Sequence, residues 1–352
     1  MHIGAPYFLY RLQYNTEGDT TMIIRPLGST ALLVSPLGLG LAALGRPGYI
    51  NLGHAADLDG SYDVQVMEAR AHAVLDAAWN AGVRYFDTAR SYGRGEAFLG
   101  TWLHTRQIPP NNVVIGSKWG YTYTAGWQVE AEAHEIKEHS LPVLERQLTE
   151  SRAHLGSYLK LYQIHSATLE SGVLENMAVL ERLAALKHDG MAIGLSLSGP
   201  RQAEVLRRAA AITINGVRLF DCVQATWNIL EPSPGPALAE APAAGIGVIV
   251  KEALANGRLT ERNTAPGFAA RRLALKQQAQ RLQTTVDALA LAAVLAQPWA
   301  DVVLSGAATA EHLRSNLAAL SVAWDDEAAV YLESLAEPPE QYWTTRSALL
   351  WN

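Results

Sequence analysis

Eight short runs rich in Val, Ile and Leu recur along the chain, and helical patterns fill the intervals between them. They are SPLGLGL at 35–41, VRYFDT at 83–88, VVIGSK at 113–118, LKLYQIH at 159–165, AIGLSL at 192–197, CVQATWN at 222–228, GVIVKE at 247–252 and DVVLSG at 301–306. Strands covered on both faces are apolar throughout, and parallel neighbours need a helical crossover, so this alternation marks βαβ units. With AEHLRSNLAAL closing the set after the last run, eight strand-helix pairs predict an α/β fold of the closed (β/α)8 TIM-barrel type. Over 63–80, Val66, Ala69, Ala73, Ala77 and Ala78 fall on one helical face and Ala81-Gly82 ends it. No Pro, Gly or Ser linker divides the chain, and EPSPGPALAEAP at 231–242 is short enough for one βα loop and a helix start. A single domain over 22–352 is therefore expected. Ahead of the first strand, IIRPLGSTALLV at 23–34 turns at Gly28-Ser29 and reads as a β-hairpin capping one end of the barrel.

Composition narrows the class of function. The 352 residues are 49% hydrophobic, enough for a large core, and 28 Lys and Arg stand against 34 Asp and Glu with no basic run. That balance argues against a nucleic-acid partner. Cys222 is the only cysteine, which excludes an internal disulfide and a Cys-rich metal site and fits a reducing cytoplasm. No apolar stretch reaches the roughly 18–20 residues of a membrane span. Even the most apolar segment, 287–300, carries Gln297 and Pro298. Residues 1–21 lack the basic start and cleavage site of a leader, and read as an extension, with disorder as one expectation, before Met22.

In a barrel of this kind reactive groups sit where strands end and the following loops begin. Asp87 ends VRYFD, Lys118 ends VVIGSK, His165 ends LYQIH, and Tyr92 follows in the loop TARSYGRGE. A charged residue at the end of an apolar strand needs a partner when desolvated, so Asp87 and Lys118 are expected to pair. A nearby ammonium favours phenolate, so Lys118 is expected to lower the pKa of Tyr92 toward working pH. Tyr92 would then give a proton to a carbonyl oxygen that His165 orients, with hydride coming from a cofactor. Two other motifs fail on geometry. GLGLAALG at 38–45 is followed by Gly45, Pro47 and Gly48, which break the helix a dinucleotide loop must open. HEIKEH at 134–139 sets its histidines five apart, where a zinc helix sets them four apart, so no metal is expected.

YFDTARSYGRGEAFLG followed by VVIGSKWG and LYQIH resembles the signature of the aldo-keto reductase family, and the likeness runs from about Arg25 to Leu320. The resemblance implies reduction of an aldehyde or ketone by Asp87, Tyr92, Lys118 and His165, with NADP as the default cofactor and NAD the alternative. It implies that Ser196 and Gln224 hold the nicotinamide amide and that Gly306, Thr309 and Asn316 line the adenosine and phosphate end. Gly40, Leu41, Lys251, Leu254 and His312 fall in the same cleft, with Trp119, Tyr49 and Trp227 expected against the substrate. Departures from the family pattern are Leu197 in place of Asn, and Lys251 and Glu252 in place of an aromatic-Ser pair. Neither Ala308 nor His312 is the arginine often set against a 2′-phosphate, though Arg314 lies nearby. Oxidation of an aldose or polyol by the same four residues is the enzymatic alternative. A cofactor-binding regulatory subunit with little turnover is the alternative of another class. A monomer or small homo-oligomer acting on a small molecule is expected. Tyr121, Tyr123 and Trp127 either wall the site or cover the rim, and the tail EPPEQYWTTRSALLWN, with Trp343, either folds over the mouth or clamps outer helices.

Overall fold

The computed structural model describes residues 12–14 and 20–352. Most of the extension over 1–21 lies outside the described residues, and Leu12–Tyr14 pairs antiparallel with Thr20–Met22. Eight parallel strands close into a barrel. They are β1 (Leu37–Gly40), β2 (Tyr85–Asp87), β3 (Val114–Trp119), β4 (Leu159–Ala167), β5 (Ala192–Leu197), β6 (Cys222–Thr226), β7 (Gly247–Lys251) and β8 (Val302–Ser305). All eight coincide with the apolar runs. Around them lie α1 (Val64–Asn80), α2 (Gly95–Thr105), α3 (Leu141–Leu155), α4 (Met177–His188), α5 (Gln202–Ala210) and α6 (Gly235–Glu240). The ring continues with α7 (Ala269–Arg281), α8 (Val286–Leu295) and α9 (Ala310–Leu317), and the chain ends with α10 (Asp326–Glu333) and α11 (Pro339–Ser347).

Alternation along the strands divides the core in two. Phe86, Ile115, Tyr162, Val223, Val248, Val250 and Val303 belong to the large apolar cluster shared with the helices. Their neighbours Tyr85, Val114, Leu161, Cys222, Ile249, Val302 and Leu304 fill the barrel interior together with Leu27 and Val34. The latter two come from the hairpin in which Arg25–Pro26 pairs with Leu33–Val34. Arg25 donates to the carbonyl of Asp301 and Ser29 N–H to that of Gly245, which fixes the hairpin beneath the starts of β7 and β8. The plug leaves the opposite end of the barrel, where the loops gather, open for chemistry.

Helix α1 begins as the sequence indicates, with Asp63 Oδ1 accepting from the N–H groups of Gln65 and Val66 at 2.9 and 3.0 Å. Its buried face differs from the expected one: Met67, Ala71, Val74, Leu75 and Ala78 are buried, whereas Val66 is 44% exposed. Alanines tolerate either side of a helix, so the larger side chains, one and two turns apart, decide which stripe packs inward.

Gly28 sits at φ +52° in the plug turn, and a Cβ there would lie 2.3 Å from the backbone nitrogen of Gly247. Two backbones meet, so neither can yield by rotating a side chain. Gly28→Ala is expected to lower the unfolding free energy by about 1–3 kcal/mol in urea melts, from overpacking and backbone strain. Gly267→Ala, where a Cβ would meet nothing within 4 Å, should leave it nearly unchanged. Equal midpoints for the two variants would contradict the packing.

Candidate active site

The open end of the barrel brings the four sequence-chosen residues together. Lys118 Nζ donates to Asp87 Oδ2, to the carbonyl of Thr88 at 2.9 Å and to Tyr92 Oη at 3.2 Å. The other carboxylate oxygen of Asp87 accepts from Tyr85 Oη at 3.1 Å, Gln163 Nε2 at 3.3 Å and Gln224 Nε2 at 2.8 Å. Every donor but Lys118 is neutral, and Asp87 and Lys118 are almost wholly buried. His165 packs edge-on to Tyr92 with ring centroids 5.6 Å apart, and Ser91 Oγ lies 3.4 Å from its Nδ1. Tyr121 meets the same imidazole at 4.9 Å, and His139 Nε2 bonds the carbonyl of His165 at 2.8 Å.

The loop bearing Tyr92 is held by contacts that the sequence did not announce. Buried Glu96, at the start of α2, accepts from Ser117 of β3 at 2.6 Å, Ser151 of α3 at 2.7 Å and Arg90 at 2.5 Å. On the other side, Arg94 N–H donates to the carbonyl of Gly45 at 2.7 Å. Gly45 and Gly93 permit that approach, since a Cβ on Gly45 would be 2.3 Å from the Tyr92 carbonyl and one on Gly93 would be 2.5 Å from the Gly45 carbonyl. The glycine that spoils a dinucleotide loop thus serves to seat the tyrosine.

Electrostatics correct one expectation. The pKa of Tyr92 is raised well above the usual phenol value, first by burial and then by the Asp87 carboxylate, with Arg46 opposing. Lys118 does not pull it down because its charge is already answered by Asp87. Burial pushes His165 well below the ordinary imidazole range, with Lys118 and Arg46 adding to the effect, so the ring is neutral at neutral pH. Burial likewise lowers Lys251 to about 8, with Glu252 opposing.

A cavity of about 630 Å³ runs from Asp87, Tyr92 and His165 to Arg262 and His312. Of the residues expected to hold a cofactor, Gly40, Gln224, Lys251, Leu254, Gly306, His312 and Asn316 line it. Ser196, Leu41 and Thr309 are not on its surface: Ser196 Oγ accepts from Ser166 N–H, Leu41 is fully buried with its N–H on the Asp87 carbonyl, and Thr309 Oγ1 caps α9 on His312 N–H. Tyr49 lines the cavity. Trp119 and Trp227 do not line it. Trp119 is fully buried against His139, and Trp227 packs edge-on to Trp299 at 5.7 Å. Trp127 donates to the carbonyl of Tyr62 and packs on Phe98, so of that aromatic loop only Tyr121 reaches the histidine among the described residues.

The wall is built instead by residues without a local sequence signal. Arg46 bonds Glu135 and the carbonyl of Ser91, each at 3.0 Å, and lies against the rings of Tyr49, Tyr92 and Trp351. The tail crosses the mouth: Asn352 and Tyr49 exchange two backbone hydrogen bonds at 3.1 Å, Trp351 stacks on His134 at 3.9 Å, and Arg346 grips Glu252. Arg346, Ser347, Leu349 and Trp351 line the cavity, whereas Trp343 is buried beside Tyr342. The tail was legible as aromatic and not as to which residue faces inward.

A volume within the ordinary range of cofactor pockets and walls of bare glycine at Gly40 and Gly306 fit an elongated dinucleotide, while at the far end Arg262 is paired with Asp57 and stands with His312 among Glu261, Asp287 and Glu311. At Gly306 a Cβ would meet nothing within 4 Å. Among the described residues no group of His, Cys, Asp and Glu is arranged to hold a metal, and no helix is long and apolar enough to cross a membrane.

Comparison with known proteins agrees with this geometry. The model of the aldo/keto reductase family matches residues 36–337. The chain is 28% identical to the NADH-specific methylglyoxal reductase of Escherichia coli, over 90% of this chain and 99% of that protein. It is 26% identical to the L-galactose dehydrogenase of Arabidopsis thaliana, over 91% and 96%. The solved holo form of an aldo-keto reductase from Bacillus halodurans superposes with a TM-score of 0.69 at 22% identity, covering 91% of this chain and 99% of that one. That last likeness is one of fold. The sequence match over most of the chain and the site at the barrel mouth lead to one conclusion: this protein is an oxidoreductase of the aldo-keto reductase family.

Proposed function

We propose that the protein reduces an aldehyde or ketone to the alcohol, with Tyr92 giving the proton. The observation that carries this reading is the hydrogen bond from Lys118 Nζ to Tyr92 Oη at 3.2 Å, beside His165. Because the phenol oxygen accepts from the ammonium, its own O–H is free to point into the cavity, where a carbonyl oxygen would lie. Neutral His165 can donate to that same oxygen and fix its direction. A nicotinamide dinucleotide, held by the lining from Gln224 and Lys251 to Gly306 and Asn316, supplies hydride to the carbonyl carbon when bound. As the oxygen becomes an alkoxide it takes the Tyr92 proton, and the phenolate left behind faces the Lys118 ammonium. Asp87 keeps that ammonium in place and spends three neutral donors holding its own second oxygen.

Tyr92 stays protonated at neutral pH, which suits donation and disfavours the oxidative use of the same residues, in which the phenolate must already exist. The nucleotide is taken as NADP(H), the choice the family resemblance carries. NAD(H) is a second reading because Ala308 and His312 provide no arginine for a 2′-phosphate, and the Escherichia coli relative is named as NADH-specific.

Tyr92→Phe, which removes only the proton, is expected to cut kcat with an activated aldehyde by roughly 10²–10⁴-fold while the reduced nucleotide still binds. Undiminished turnover in that variant would sink the assignment. The pH profile offers an independent check, since His165 is held below its ordinary pKa and Tyr92 above. For reduction, kcat should show no acid limb near the usual histidine value of about 6.5, and its alkaline loss should come only beyond the usual phenol value of about 10. A loss centred near about 6.5, or one near about 8 that persists when Lys251 is replaced, would contradict those protonation states.

A further inference from the structure

Among the described residues, the reaction end of the cavity and the wall directly behind it hold four cationic side chains and three carboxylates, and the geometry shows which of these cations is left over. Asp87 answers Lys118, Glu135 answers Arg46 at 3.0 Å, and Glu252 answers Arg346 through contacts of 2.5, 3.0 and 3.0 Å. Lys251 Nζ is bonded to a neutral group, Thr226 Oγ1 of β6, at 2.6 Å, and its nearest carboxylate oxygen, on Glu252, is 3.8 Å away and already taken by Arg346. From the tail, Arg346 and the ring of Trp343, 5.7 Å from Nζ, face it. From the barrel, Lys118 and Asp87 act on it as a pair whose charges cancel, and neutral His165 adds none. The side chain lies at the end of β7, is 15% exposed, and lines the cavity.

We propose that Lys251 makes this site select the reduced over the oxidised state of its nicotinamide cofactor. The inference rests on the proposed hydride reaction, which requires the nicotinamide ring to lie against a carbonyl held at Tyr92 and hence in the end of the cavity that Lys251 lines. The reduced ring is uncharged, and the oxidised ring carries one positive charge. An unneutralised ammonium in a partly dry pocket repels the second and is indifferent to the first. The enzyme therefore loads with reductant and sheds the spent nucleotide, a bias toward carbonyl reduction built into the end of β7.

The test is titration of the full chain with reduced and with oxidised nucleotide, followed by intrinsic tryptophan fluorescence, in the wild type, Lys251→Met and Lys251→Arg. The ratio of Kd for oxidised to Kd for reduced nucleotide should fall about tenfold in Lys251→Met, mostly through tighter binding of the oxidised form, and persist in Lys251→Arg. In the wild type the ratio should decline as pH rises through about 8, where Lys251 loses its proton, and should be flat with pH in both variants. A wild-type ratio retained by Lys251→Met, or lost equally in both variants, would overturn the proposal while leaving the proposed reaction intact. If Lys251→Met bound neither form, the Arg variant would decide, a retained ratio supporting the proposal and a lost one overturning it. Failure of the wild type to bind either nucleotide would instead remove the proposed function, and this inference with it.

Discussion

The site depends on a buried ion pair. Placing an aspartate and a lysine side by side at the mouth of an apolar barrel is costly, and removing one partner from such a pair typically costs about 3–5 kcal/mol. The barrel meets that cost with geometry. Asp87 and Lys118 end adjacent parallel strands, and Tyr85, Gln163 and Gln224 aim their donors at the one carboxylate oxygen that the lysine leaves free. Two further strands, β4 and β6, thus converge on Asp87. Anything that shifted their register would uncover the pair, so fold and site are secured by the same hydrogen bonds.

From that pair follows the state of Tyr92. A bare ammonium 3.2 Å from a phenol would favour phenolate, but an ammonium already bound to carboxylate is a dipole, and burial then decides in favour of the neutral phenol. The same burial keeps His165 unprotonated. The protein therefore presents a proton donor and a neutral hydrogen-bond donor to the cavity, with the nearby charges of the described residues cancelled in pairs except at Lys251.

The fold was largely legible because each barrel strand is buried on both faces and must be apolar along its whole length, a pattern that survives without any alignment. The residues at strand ends were legible for the complementary reason: Asp87, Lys118 and His165 are polar exceptions in apolar runs. What the chain order hid was contact between loops distant in sequence. Arg46 and Glu135, Glu252 and Arg346, and Tyr49 and Asn352 meet only because the barrel gathers its loops at one end, and nothing local to any of them signals the meeting. The direction of Trp119 was hidden too: a strand residue beside Lys118 points opposite to it, and the pleat turns the indole into the helix layer, where it is fully buried. Likewise the alanine stripe of α1 could have packed either way, and Met67, Val74 and Leu75 chose.

Asp87 thus cancels the charge of Lys118 and leaves Tyr92 a protonated donor, a state open to direct test. Its most direct measurement is the ¹³C NMR titration of the protein labelled at the tyrosine ζ carbon, with the Tyr92 signal assigned by its absence in Tyr92→Phe. The Tyr92 resonance is expected to stay at its phenol position until pH exceeds the ordinary tyrosine value of about 10. A Tyr92 signal that titrates between about pH 7 and about pH 9 would show the lysine acting as a free charge, and would contradict it.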